Sequence, residues 1–85
     1  MEPLAQKRIR RLLEKVAENP KNCKFENLAR LLEAVGFEHR TTRGSHHYFK
    51  RGLLRIPVPF RRPLKEHYVN EALKLVRQVL SEEVK

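Results

Sequence analysis

Apolar residues recur at three- and four-residue spacing in the first part of the chain, at two-residue spacing in the middle, and at helical spacing again near the end. Over residues 4–16, Ile9, Leu12, Leu13 and Val16 share one side, while Lys7, Arg8, Arg10, Arg11 and Lys15 cover the rest. That is an amphipathic helix, with Pro3 suited to its first position and Asn19-Pro20 signalling the turn that ends it. A second helix is expected over residues 26–35. Leu28, Leu31, Leu32 and Val35 form its buried stripe, and Gly36 stands where the left-handed stop belongs. From Phe37 the period falls to two, which predicts strands over residues 37–42, 46–50 and 53–58, joined at Arg43-Gly44-Ser45 and Arg51-Gly52. Pro57 and Pro59 have no N–H for a ladder, so the third strand lies at an edge or stops there. After Arg61-Arg62-Pro63 a last helix is expected to begin between Leu64 and Tyr68. It turns Val69, Ala72, Leu73, Val76 and Leu80 inward and frays over residues 81–85.

The order helix, helix, strand, strand, strand, helix predicts an α+β domain, with helices banked on one face of a three-stranded antiparallel meander. Its α-β-β-β-α centre is the arrangement of double-stranded-RNA-binding domains, a likeness of topology that does not by itself give function. Residues 1–85 show no internal repeat, low-complexity tract or dividing linker, so one domain is expected.

Size and charge narrow the function classes. At 85 residues the chain is just above the roughly 70–80 below which one apolar core rarely suffices. A single cysteine, Cys23, excludes an intrachain disulfide and reads as a packed small side chain rather than a nucleophile. Nineteen Lys and Arg against ten Asp and Glu give a net charge of +9, which favours a polyanion: nucleic acid, an anionic membrane or an acidic protein. No apolar run reaches the ~18 residues of a membrane span and no signal-peptide pattern opens the chain, so a cytoplasmic protein is expected.

Chemistry concentrates in Gly44-Ser45-His46-His47-Tyr48-Phe49. Side chains alternate across a strand, so if Phe49 anchors the core, His47 turns inward with it. His46, Tyr48 and Lys50 then share the open face with Leu53 and Arg55. A one-residue bulge at Ser45 would exchange the two imidazoles. The open face suits an RNA backbone, with Tyr48 available to stack on a base. Imidazole titrates near pH 6.5, so His46 or His47 can serve as base or acid when a ribose 2′-hydroxyl attacks its own phosphate, a contribution of roughly 100- to 10,000-fold. Arg43, Lys50 or Arg55 would stabilise the phosphorane, and Gly44 would allow a tight turn close to the substrate. Lys65 and His67, near the start of the last helix, are further candidates for a second catalytic group. A metal is the competing use of His39, His46, His47, His67 and Cys23, but strand neighbours face apart and no C-x-x-C or H-E-x-x-H spacing occurs. No metal or other cofactor is expected. Phosphate-cradling G-x-x-x-x-G-K loops and Ser-His-Asp arrangements are absent as well.

Leu31-Leu32-Glu33-Ala34-Val35-Gly36-Phe37, then Arg40, Gly44-Ser45-His46-His47-Tyr48-Phe49 and Ile56-Pro57, resemble the HicA toxins of type II toxin–antitoxin pairs. The stretch from Leu64 to Lys74 is similar to that family's closing helix. The likeness spans residues 24–80, with residues 1–22 as an N-terminal helical extension. It implies a double-stranded-RNA-binding-like fold and metal-independent cleavage of messenger RNA. The catalytic histidine would be His46 or His47, surrounded by the candidate RNA contacts Arg43, Gly44, Ser45, Tyr48, Lys50 and Arg55. It also implies a HicB-like antitoxin, usually acidic, as partner, with DNA bound only through that antitoxin. The stiff, apolar Pro57-Val58-Pro59-Phe60 exit is a candidate antitoxin contact. The alternatives are a non-catalytic RNA-binding module and a protein-interaction adaptor.

Overall fold

The computed structural model describes residues 4–44, 46–60 and 63–83. Helix α1 (Leu4–Glu18) is followed by a short 3-10 turn (Pro20–Asn22) and helix α2 (Phe25–Ala34). Strands β1 (Glu38–Arg43), β2 (His46–Arg51) and β3 (Leu54–Pro57) come next, and helix α3 (Glu66–Glu83) closes the chain. The α+β order is the one the apolar pattern predicts. Pro3, Ser45, Arg61 and Arg62 lie outside the described residues, as do Val84 and Lys85 of the expected frayed end.

Helix α2 buries Phe25, Leu28, Ala29, Leu31 and Leu32, and it stops where the sequence sets a glycine. The Gly36 N–H donates to the Glu33 carbonyl at 3.0 Å and the Phe37 N–H to the Leu32 carbonyl at 2.9 Å. These are the paired bonds of a Schellman motif, with Gly36 at φ +96°. Phe37, buried beside this cap, ends the turn rather than opening the strand as its spacing had suggested.

The sheet runs β1-β2-β3, antiparallel throughout, so β3 is an edge strand. It ends at Pro57 for want of a proline N–H, although the Val58 N–H still reaches the His47 carbonyl at 2.9 Å. Leu53, expected to start β3, instead sits fully exposed in the turn before it. Phe49 on β2, Ile56 on β3 and Val58 beyond it supply the sheet's share of the core. Helix α3 adds Val69, Ala72, Leu73, Val76 and Val79, with Val79 rather than the half-buried Leu80 completing its inner face. That helix holds its form through Glu83, past the expected onset of fraying. Ile9, Leu12 and Leu13 of α1 pack against this core around the buried Val16. Among the described residues no polar or charged side chain is buried, so this interior is made by apolar contact alone.

Candidate functional site

Strand β2 decides where the two imidazoles go. Phe49 is fully buried, and His47, two residues earlier, faces the same side against the ring of Phe25 with centroids 5.4 Å apart. The pairing of β1 with β2 does shift register, but the extra residue lies between Thr41 and Arg43 on β1. The bulge therefore falls on the partner strand, and alternation along β2 is kept. His46 is exposed on the other side with Tyr48 and Lys50, and the Thr42 hydroxyl donates to its carbonyl at 3.2 Å.

On that open face Lys50 lies opposite Arg55, and the Arg55 guanidinium sits 3.9 Å above the Tyr48 ring. One face of the phenol is thus occupied by a cation, so Tyr48 holds Arg55 in place rather than offering both faces to a base. Arg40 forms an exposed ion pair with Glu38. Gly44, at φ +48°, occupies the left-handed position of the turn, with open space where a Cβ would stand.

A groove of about 370 Å³ opens where the start of β2, the exit of β3 and the start of α3 meet. Its walls are Thr42, His46, His47, Tyr48, Arg55, Pro57, Pro59, Lys65 and Tyr68. Of the expected site residues, His46, His47, Tyr48 and Arg55 come together here. Arg43, Gly44 and Lys50 do not line it, and Ser45 lies outside the described residues. Lys65 does reach the groove. His67 packs on Tyr68 with centroids 4.1 Å apart and takes no part in the walls. Tyr68 was missed by sequence reasoning, because the connection after β3, not any periodicity, brings it opposite β2.

His47 has a second environment behind the groove. Its Nδ1 is hydrogen-bonded to His39 Nε2 at 2.7 Å and lies 3.3 Å from the Thr41 hydroxyl. Burial pushes this imidazole below its usual 6.5, and the charges of His39 and His46 push it the same way. Such a histidine is neutral at pH 7. Cys23 is buried and its thiol is pushed up by burial, which keeps it protonated and unreactive. Among the described residues, no three His, Cys, Asp or Glu side chains converge to hold a metal ion, and no helix is long and apolar enough to cross a membrane.

The groove belongs to a segment that is recognisable in other chains. A family described as the HicA toxin of bacterial toxin–antitoxin systems matches residues 25–77, more than half of the sequence. The chain belongs to the HicA toxin family. No curated protein and no solved structure matches it. The HicA match takes in α2, all three strands and every wall of the groove, while α1 lies outside it.

Proposed function

We propose that this HicA family member is a metal-independent endoribonuclease that cuts messenger RNA in the cytoplasm and is held inactive by a HicB-like antitoxin. The observation that carries the reading is one groove walled by two imidazoles, a guanidinium, a lysine and two phenols. The imidazoles, the guanidinium and the lysine are the groups the reaction needs. An imidazole nitrogen takes the proton of the ribose 2′-hydroxyl, and the freed oxygen attacks the adjacent phosphorus. The charge gathering on the phosphorane is met by Arg55 and Lys65, worth several kcal/mol where such donors are preorganised, typically about 3. A second group then protonates the 5′-oxygen as it leaves. The products are a 2′,3′-cyclic phosphate and a 5′-hydroxyl, so no water or metal need take part in the cut.

His46 is favoured for direct contact because it stands on the exposed, cationic face beside Tyr48 and Arg55. His47 opens on the same groove and is held neutral, which suits the partner role in proton transfer. The groove's volume falls in the roughly 300–1,000 Å³ range of small-ligand sites, enough for one unstacked nucleotide. Arg43 and Lys50, outside it, would meet the flanking phosphates.

The antitoxin reading draws on the segment after β3. Pro57 and Pro59 wall the groove, and Phe60 is 44% exposed while its ring packs on Phe25 at 5.0 Å. A protein seated on this apolar rim would cover the groove, and an acidic one would also answer the +9 charge. Induced expression in a bacterial host tests the reading. Growth should stop with the unaltered chain and continue when a small acidic protein encoded beside it is co-expressed. Growth should also continue with His46→Ala or with His47→Ala. Full toxicity of both variants would contradict the assignment. RNA that is bound but recovered whole would point to the non-catalytic module instead, and no RNA binding near physiological salt would point to the adaptor.

A further inference from the structure

Strand β1 brings to the back of the groove an imidazole that the reaction described above leaves unused. His39 pairs with Phe49 across the β1–β2 ladder, and its ring lies almost parallel to that of Phe49, with centroids 4.8 Å apart and planes 14° from each other. From this footing His39 Nε2 meets His47 Nδ1 at 2.7 Å. The rings of Phe25 and Phe60 bound His47 at 5.4 and 6.2 Å, and Thr41 approaches the same Nδ1 at 3.3 Å. Nδ1 is thereby engaged, and Nε2 is the nitrogen left for the groove that His47 lines.

We propose that His39 is a positioning residue for His47: through the Nε2···Nδ1 hydrogen bond it fixes the ring orientation and tautomer with which His47 Nε2 serves the scissile phosphodiester. This rests on the ribonuclease reading. A histidine acting in proton transfer needs a defined tautomer, and the hydrogen bond at the other ring nitrogen sets it. If His47 Nδ1–H donates to His39, then His47 Nε2 carries a lone pair and can accept the 2′-hydroxyl proton. If His39 Nε2–H donates instead, His47 Nε2–H can release its proton to the 5′-oxygen. Either polarity holds one working state of the ring. The two rings cannot both be protonated without breaking the bond, because both facing nitrogens would then be donors.

An orienting imidazole differs from the carboxylate or carbonyl that more often fills this place, because it adds no negative charge. It steers His47 without making it more basic, in keeping with a ring that stays neutral at pH 7. The charged and titratable groups that share the groove or a hydrogen bond with His47 are His39 on β1, His46 and Tyr48 on β2, Arg55 on β3, Lys65 just before α3 and Tyr68 in its first turn. Helix α2 and the segment after β3 present the Phe25 and Phe60 rings.

The test compares His39→Phe, which keeps the stacking on Phe49, with His39→Gln, whose amide can still donate or accept near the same point. With the full-length chain and a single-stranded RNA oligonucleotide, His39→Phe should lower kcat about tenfold with KM unchanged. His39→Gln should recover at least half of the lost rate. In nitrogen-resolved NMR the neutral His47 ring should show one tautomer in the wild type and a mixture of both in His39→Phe, a change that lost packing alone would not produce. Unaltered kcat and an unchanged His47 tautomer in His39→Phe would overturn the proposal. So would a His39→Gln variant as slow as His39→Phe, or a loss confined to KM. If His47→Ala cuts at the full rate while His46→Ala does not, positioning by His39 is wrong and the ribonuclease reading stands. A wild-type chain that cuts no RNA removes both.

Discussion

His47 joins two chemistries, an aromatic rim behind it and a cationic groove in front, and its protonation links both to pH. Its pKa in the folded chain lies below the 6.5 of an exposed histidine. As pH falls through 6.5 the unfolded chain takes up a proton that folded His47 resists, so folding stability drops below about pH 6.5 and is unaffected by this residue above it. Thermal melts at pH 5.0 and 7.5 should therefore show a larger acid loss for the wild type than for His47→Gln. Equal losses would contradict the shift. Arg55 yields a second expectation, because its guanidinium rests on the Tyr48 ring at 3.9 Å. Tyr48→Phe should keep that platform and the cleavage rate. Tyr48→Ala should free Arg55 and cost about tenfold in kcat/KM, the equivalent of a cation–π contact of about 1 kcal/mol plus lost placement. The facing of His46 and His47 was legible in the sequence because Phe49 is an unambiguous core anchor and the period of a strand is two. The contact of His39 with His47 was not, since it depends on which residues of β1 and β2 lie opposite one another. Alternation along one strand cannot supply that register.

Helix ends and strand ends follow from particular residues in the same way. Gly36 ended α2 as its position required, while the expected first strand gave up Phe37 to the cap. A β-carbon at Gly36 would have to tolerate φ +96° and would meet the Arg51 Nε at 3.0 Å. Gly36→Ala should accordingly cost about 1–2 kcal/mol, lowering the melting midpoint by about 5–15 °C in a domain of this size. An unchanged midpoint would mean that the Schellman turn relaxes at no cost. The third strand was shortened at both ends for different reasons. Leu53 is spent in the turn, and Pro57 closes the ladder. Lys65 and Tyr68 show why the groove was only half legible. Both belong to the entry of α3, and the path from β3 to that helix is set by tertiary packing of Val58 and Leu64 rather than by any local signal.

For the whole molecule, charge and family point the same way. A chain with +9 charge and a groove walled by Arg55 and Lys65 should bind single-stranded RNA less tightly as salt rises. If about three to five phosphates are contacted, log K should fall against log salt with a slope of about −2 to −4, measured by fluorescence anisotropy with an inactive variant. A slope near zero would remove the electrostatic footprint. The HicA family match covers the groove and leaves out α1, an element legible only in its own amphipathic pattern. The central claim is that the groove cuts RNA with its own imidazoles. Its most direct test is the incubation of the purified chain with a messenger RNA transcript in excess EDTA. The wild type should produce fragments ending in 2′,3′-cyclic phosphate and 5′-hydroxyl groups. Folded His46→Ala should cut at least about 100-fold more slowly. An intact transcript with the wild type, or wild-type rates with both His46→Ala and His47→Ala, would contradict the account.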